Sequence, residues 1–118
     1  MSEKDEFVVY YTVPKSKEAM ETWLPGITDY EKYEHFEVNE CANDSLWSFY
    51  NLLNKQFDII IDNCEDEILN LQYLPKALEM AKQFAFQHLD DIQKDVLSKL
   101  ISAINCAMKF GTCVYFDF

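Results

Sequence analysis

The stretch from Asp90 to Gly111 limits the possible folds more than any other part of the chain. Ile92, Val96, Leu97, Leu100, Ile101, Ile104 and Met108 recur there at spacings of three and four, which predicts a long helix with one broad apolar face. Asp90 or Asp91 can start it, Lys109 suits its C-terminal dipole, and Gly111 is placed to stop it. Such a stripe must be buried against another layer of structure.

The rest of the chain supplies that layer. Phe7-Val-Val-Tyr-Tyr-Thr-Val13 is β-branched and aromatic and ends at Pro14, so it reads as a strand, with residues 1–6 frayed. Ser16 can cap a short helix to about Leu24, with Met20, Trp23 and Leu24 on its apolar side. Thr28-Asp-Tyr-Glu31 has the form of a capping box, whereas His35-Phe-Glu-Val-Asn-Glu-Cys41 alternates like a strand. Residues 28–41 therefore read as a helix or turn running into a strand. Asn43 or Asp44 can cap a helix to about Lys55 that buries Leu46, Trp47, Tyr50 and Leu53. Phe57-Asp-Ile-Ile-Ile-Asp62 looks like a third strand, followed by an acidic loop. Leu74, Ala77, Leu78, Ala81, Phe84 and Ala85 share one helical face, with Pro75 tolerated in the first turn. Thr112-Cys-Val-Tyr-Phe-Asp-Phe118 is a final strand candidate. The expectation is one α/β or α+β domain over residues 1–118, with a single layer of helices packed on a small sheet. The strand order is open.

Charge narrows the function. Every one of the ten basic residues is lysine, against 21 acids, for a net charge of −11. Arginine is the side chain best suited to bidentate phosphate recognition, and a chain this acidic repels polyphosphate at long range. Nucleic acid is thereby disfavoured as a partner, and a basic protein is its natural inverse. No apolar stretch approaches the ~20 residues of a transmembrane helix, and residues 1–6 are too acidic for a secretory signal. A cytoplasmic protein with free thiols at Cys41, Cys64, Cys106 and Cys113 is expected.

The acidity is concentrated. Residues 29–67 hold eleven acids against Lys32 and Lys55, or −9 of the total −11. Glu31, Glu34, Glu37 and Glu40 recur at every third position, interleaved with Tyr30, Tyr33 and Phe36. On a helix this row would repel itself, and on a strand it would divide between two faces. Asp62, Glu65, Asp66 and Glu67 form a second acidic group. Tyr30, Glu31, Tyr33, Glu34, Glu37, Glu40, Asp62, Glu65, Asp66 and Glu67 are the predicted partner-binding residues, with tyrosines adding contact area at low entropic cost.

Catalytic and metal chemistry finds little support. His35 or His88 could activate a cysteine, yet no nucleophile elbow or Cys-Gly context accompanies them. Cysteine spacings do not fit zinc, and the Asp62–Glu67 segment lacks the central glycine of a calcium loop. Two glycines in the whole chain leave no phosphate-cradling loop. No enzyme, cofactor or metal is expected.

In its size, its arginine-free acidity, the acidic aromatic stretch 29–41 and the run from Ala103 to Phe118, the chain resembles the small acidic immunity proteins of bacterial contact-dependent growth inhibition and related polymorphic toxin systems. The resemblance implies a cytosolic protein that binds and neutralises one cognate toxin domain, often a basic nuclease. An acidic adaptor, regulator or nucleic-acid mimic that binds another basic protein would carry the same charge signature. Titration of the denatured protein with a thiol reagent is expected to count all four cysteines as free. Two disulfides would place the chain in an oxidising compartment instead.

Overall fold

A computed structural model describes residues 8–23, 29–62 and 66–118. It has the α+β architecture expected, with helices packed on an antiparallel sheet. The elements run β1 (Val8–Pro14), α1 (Lys17–Glu21), β2 (Tyr33–Asn39), α2 (Glu40–Asp44), α3 (Trp47–Phe57), β3 (Glu67–Leu69), α4 (Leu74–Phe84), α5 (Asp91–Phe110) and β4 (Val114–Asp117). A 3-10 turn over Leu71–Tyr73 leads into α4. Among the described residues the strand order is β2-β1-β4-β3, with every neighbouring pair antiparallel. The first strand in sequence is thus an inner one, paired on both sides. The expected fraying of residues 1–6 lies outside the described residues.

α5 follows its sequence signals closely. Asp90 accepts the Gln93 N–H at 2.7 Å, and the Gln93 carboxamide oxygen accepts the Asp90 N–H at 3.0 Å, which completes a capping box. Gly111 ends the helix in the left-handed region, at φ 69°. Leu97, Leu100 and Ile104 are buried, while Ile92 and Met108 at the ends of the predicted stripe are exposed. Ala103 and Ala107 are also fully buried, and their small side chains let α5 lie close on the sheet. There it meets Val9, Tyr11 and Val13 of β1, Val38 of β2, and Val114 and Phe116 of β4.

Inside this core a chain of hydroxyls ties the layers together. The Tyr50 hydroxyl donates to Asn43 Oδ1, so the Tyr11 hydroxyl is the donor in its own short bond to Tyr50. All three residues are almost wholly buried, and both hydroxyls and Asn43 Oδ1 have partners. Burial raises both phenol pKa values far above the ordinary tyrosine range, so the network stays neutral.

Three segments depart from the sequence expectation. The strand predicted over His35–Cys41 begins earlier, at Tyr33, and ends at Asn39, whose side chain caps α2 by accepting the Cys41 and Ala42 amides. Asn43 is accordingly a buried residue inside α2, and not the cap of a helix reaching Lys55. The strand predicted over Phe57–Asp62 is a correction: Phe57 ends α3, and Asp58 turns the chain in the left-handed region at φ 55°. Asn54 then clamps Ile61 from both sides, accepting its N–H at 2.8 Å and donating to its carbonyl at 3.3 Å. That carboxamide supplies the bonds that a strand neighbour would have provided. The third strand is β3 instead, opposite Val114 to Phe116.

Most helices cover the face of the sheet that carries Val9, Tyr11 and Phe116. α1 lies on the other face, where Tyr33 donates its hydroxyl to Ala19 O at 2.6 Å and Tyr115 donates to Met20 O at 2.9 Å. Trp23 stacks on Tyr115 beside it, with ring centroids 3.9 Å apart. Truncating Leu100 to Ala should cost about 2–5 kcal/mol, the range for a packed core leucine. A loss below about 1 kcal/mol in denaturant titration would contradict its place under the sheet.

Candidate functional site

The register of β1 with its neighbours decides where the acids point. Tyr10 sits opposite Glu37 on β2 and opposite Asp117 on β4, and residues directly opposite share a face. Asp66 precedes β3 and is hydrogen-bonded to Asp117; it also accepts the Phe118 N–H. Glu37, Tyr10, Asp117 and Asp66 therefore form one row across the whole sheet, about 14 Å long at the usual strand spacing. α1 covers the neighbouring row, in which Thr12 and Tyr115 are buried. It leaves the acidic row open.

Aromatic and apolar groups frame the row. Tyr30 is 66% exposed, and its ring meets His35 edge-on with centroids 4.9 Å apart. Tyr10 also meets His35 edge-on, at 5.8 Å. The His35 ring bonds through Nδ1 to Thr12 Oγ1 at 3.1 Å. Burial lowers its pKa from the ordinary histidine value, against an opposing pull from Glu34, so the ring is neutral near pH 7. Val8 and Ile68 lie partly exposed on the same face. Exposed aromatic and aliphatic groups with polar ones at their rim are the ordinary make-up of a protein-binding surface.

The predicted residues separate accordingly. Tyr30, Glu37 and Asp66 come together on the open face. Glu34 lies on the helix-side face opposite Val13, with its carboxylate 3.7 Å from Lys15 Nζ. Glu31 is exposed in the turn before β2, where its N–H donates to Asp29 Oδ1 at 3.0 Å. Glu40 is exposed in the first turn of α2, where the helix dipole favours a carboxylate. Asp62 is exposed. Tyr33 is a correction: at 1% exposure it is part of the interior, held by Ala19. Glu67 is half-buried, and its carboxylate accepts the Ile60 and Ile68 amides at 2.8 Å each, so it braces β3. Glu65 lies outside the described residues. Tyr10 and Asp117 were missed in the sequence, because their place beside Glu37 depends on pairing between the two ends of the chain.

Crowding is visible in the protonation equilibria. Desolvation raises the Asp66 pKa first, then the charge of Asp117 and their mutual hydrogen bond, while the Phe118 amide pulls the other way. Burial, then Glu37, Tyr30 and Asp117, raises Tyr10. Two thiols are poorly ionised: burial pushes Cys113 up to about 11, and burial also raises Cys106. Cys41, Cys106 and Cys113 are free, and Cys64 lies outside the described residues. Among the described residues no group of three or more His, Cys, Asp or Glu is arranged to hold a metal ion, and no helix is long and apolar enough to cross a membrane. Comparison of the chain with protein-family models, curated proteins and solved structures finds no match.

The raised Asp66 pKa carries a sign. The unfolded chain ionises Asp66 at about 3.8, before the folded chain does, so its contribution to stability is present below that value and is lost as pH rises through the folded pKa. Asp66→Asn should therefore raise the melting temperature near neutrality and leave it unchanged well below pH 3.8. Thermal melts at the two pH values check this; an equal gain at both would remove the carboxyl pair as its cause.

Proposed function

We propose that the chain is a non-enzymatic inhibitory binding protein of the immunity type, neutralising a basic bacterial toxin domain in the cytoplasm. The observation that carries the reading is the acidic row of Glu37, Asp117 and Asp66 around Tyr10, left open where the opposite face of the sheet is covered by helices. The net charge of −11 supports it, as does the absence of arginine. A toxin groove that holds phosphate is positively charged, and a carboxylate-bearing face can occupy it in place of the nucleic acid. Opposite potentials also speed capture, towards ~10⁸–10⁹ M⁻¹s⁻¹ at low salt. Folding places like charges side by side, and a cationic partner relieves the repulsion.

The test pairs the chain with any toxin domain that a neighbouring gene encodes, in a growth-rescue assay and a binding assay. Glu37→Lys combined with Asp66→Lys should weaken binding by about tenfold or more and abolish protection. Glu18→Lys combined with Glu21→Lys, on exposed positions of α1, should leave both unchanged. Equal behaviour of the two variants would reduce the acidic row to a solvated surface.

A further inference from the structure

Resting on the reading of a basic protein partner, we propose that the outer edge of β2 takes up an extended basic segment of that partner as an added strand. The edge is defined by hydrogen-bond alternation. Lys15 N–H donates to Lys32 O at 2.8 Å, so the pairs Val13/Glu34, Tyr11/Phe36 and Val9/Val38 face one another across the β1–β2 ladder. The backbone groups of Tyr33, His35 and Glu37 consequently point away from β1. Two bonds agree with this. Tyr33 N–H donates to Asp29 O at 3.0 Å, and Lys99 Nζ donates to the Glu37 carbonyl at 2.9 Å. The N–H and carbonyl of His35 and the N–H of Glu37 have no partner among the described residues.

This edge is guarded by charge alone, through Glu34 and Glu37, which repel acidic strands and admit basic ones. β2 is seven residues long, keeps a constant register with β1, and contains neither proline nor a bulge. The opposite edge, β3, has only three residues. Beside β2, two open depressions of about 480 and 470 Å³ meet at Phe36, between the strand and α5. An added strand would place alternate side chains against Phe36 and Glu34 on the helix side, and against His35 and Glu37 on the open side. The carboxylates of Glu34 and Glu37 call for basic residues in the incoming segment, and Phe36 for an apolar one. Lys99 and Lys109 stand on the helix wall. Lys99 is engaged by Asp95 at 3.7 Å as well as by the Glu37 carbonyl. A second copy of this chain lacks the required charge, because its own β2 edge carries Glu34 and Glu37 and no basic side chain but His35.

The probe is a short capped peptide repeating Lys-Lys-Val-Val, which puts a basic and an apolar residue on each face of an added strand, mixed with the full chain at low ionic strength. Its partner probe is the same peptide N-methylated at alternate amides, which keeps the charge and removes the bonds to an edge. The unmodified peptide should slow amide exchange at His35 and Glu37, and the N-methylated one should bind about tenfold more weakly. Equal binding of both without such protection would overturn strand addition and leave the basic-partner reading standing. Binding by neither would overturn both.

Discussion

β1 is held between β2 and β4, and that double pairing determines which way every acid on the sheet faces. Its odd-numbered side chains, Val9, Tyr11 and Val13, go into the core. Its even-numbered ones then share the other face with Glu37 and Asp117, whatever those residues cost one another electrostatically. A shift of one residue would expose Tyr11 and bury Tyr10, so the apolar core enforces the acidic row. Carboxylates are crowded here because hydrophobic burial on the opposite face outweighs their repulsion.

The hydroxyl chain from Tyr11 through Tyr50 to Asn43 reinforces the same register. It joins the inner strand to α3 and α2, and it is satisfied only when Tyr11 points inward. Loss of one member would leave a buried polar atom without a partner, which is dearer than an apolar replacement of the whole set. α1 has the complementary role on the other face. By covering Tyr33 and Tyr115 it protects half of that surface, and what remains open is the half that carries charge.

Much of this was legible in the sequence, and the limits have physical causes. α5 could be read with both ends, because its stripe, its Asp90 cap and its Gly111 stop are all local. The strand around Phe36 and Val38 was visible from period-two alternation, and that alternation divides the glutamate row between faces. Asn39 and Asn54 were not legible in their roles. Each redirects the backbone by a side-chain hydrogen bond that composition does not announce, and Asn54 turned an apparent Ile59–Ile61 strand into a clamped loop. Tyr33 looked like surface because it stands among glutamates, and only the position of α1 buries it. The meeting of Tyr10, Glu37 and Asp117 depends on strand order, which a single sequence leaves open.

The central claim is that folding gathers Glu37, Asp66 and Asp117 around Tyr10 on one open face of the sheet. Paramagnetic relaxation of amide protons by a cationic and an anionic nitroxide cosolute measures the local potential residue by residue. The cationic probe should be enriched most strongly around Tyr10, Glu37, Asp66 and Asp117, where summed fields of several kT are expected. The exposed surface of α4 and α5 should show little preference between the probes. A potential spread evenly over the molecule, or deepest over those helices, would contradict the account.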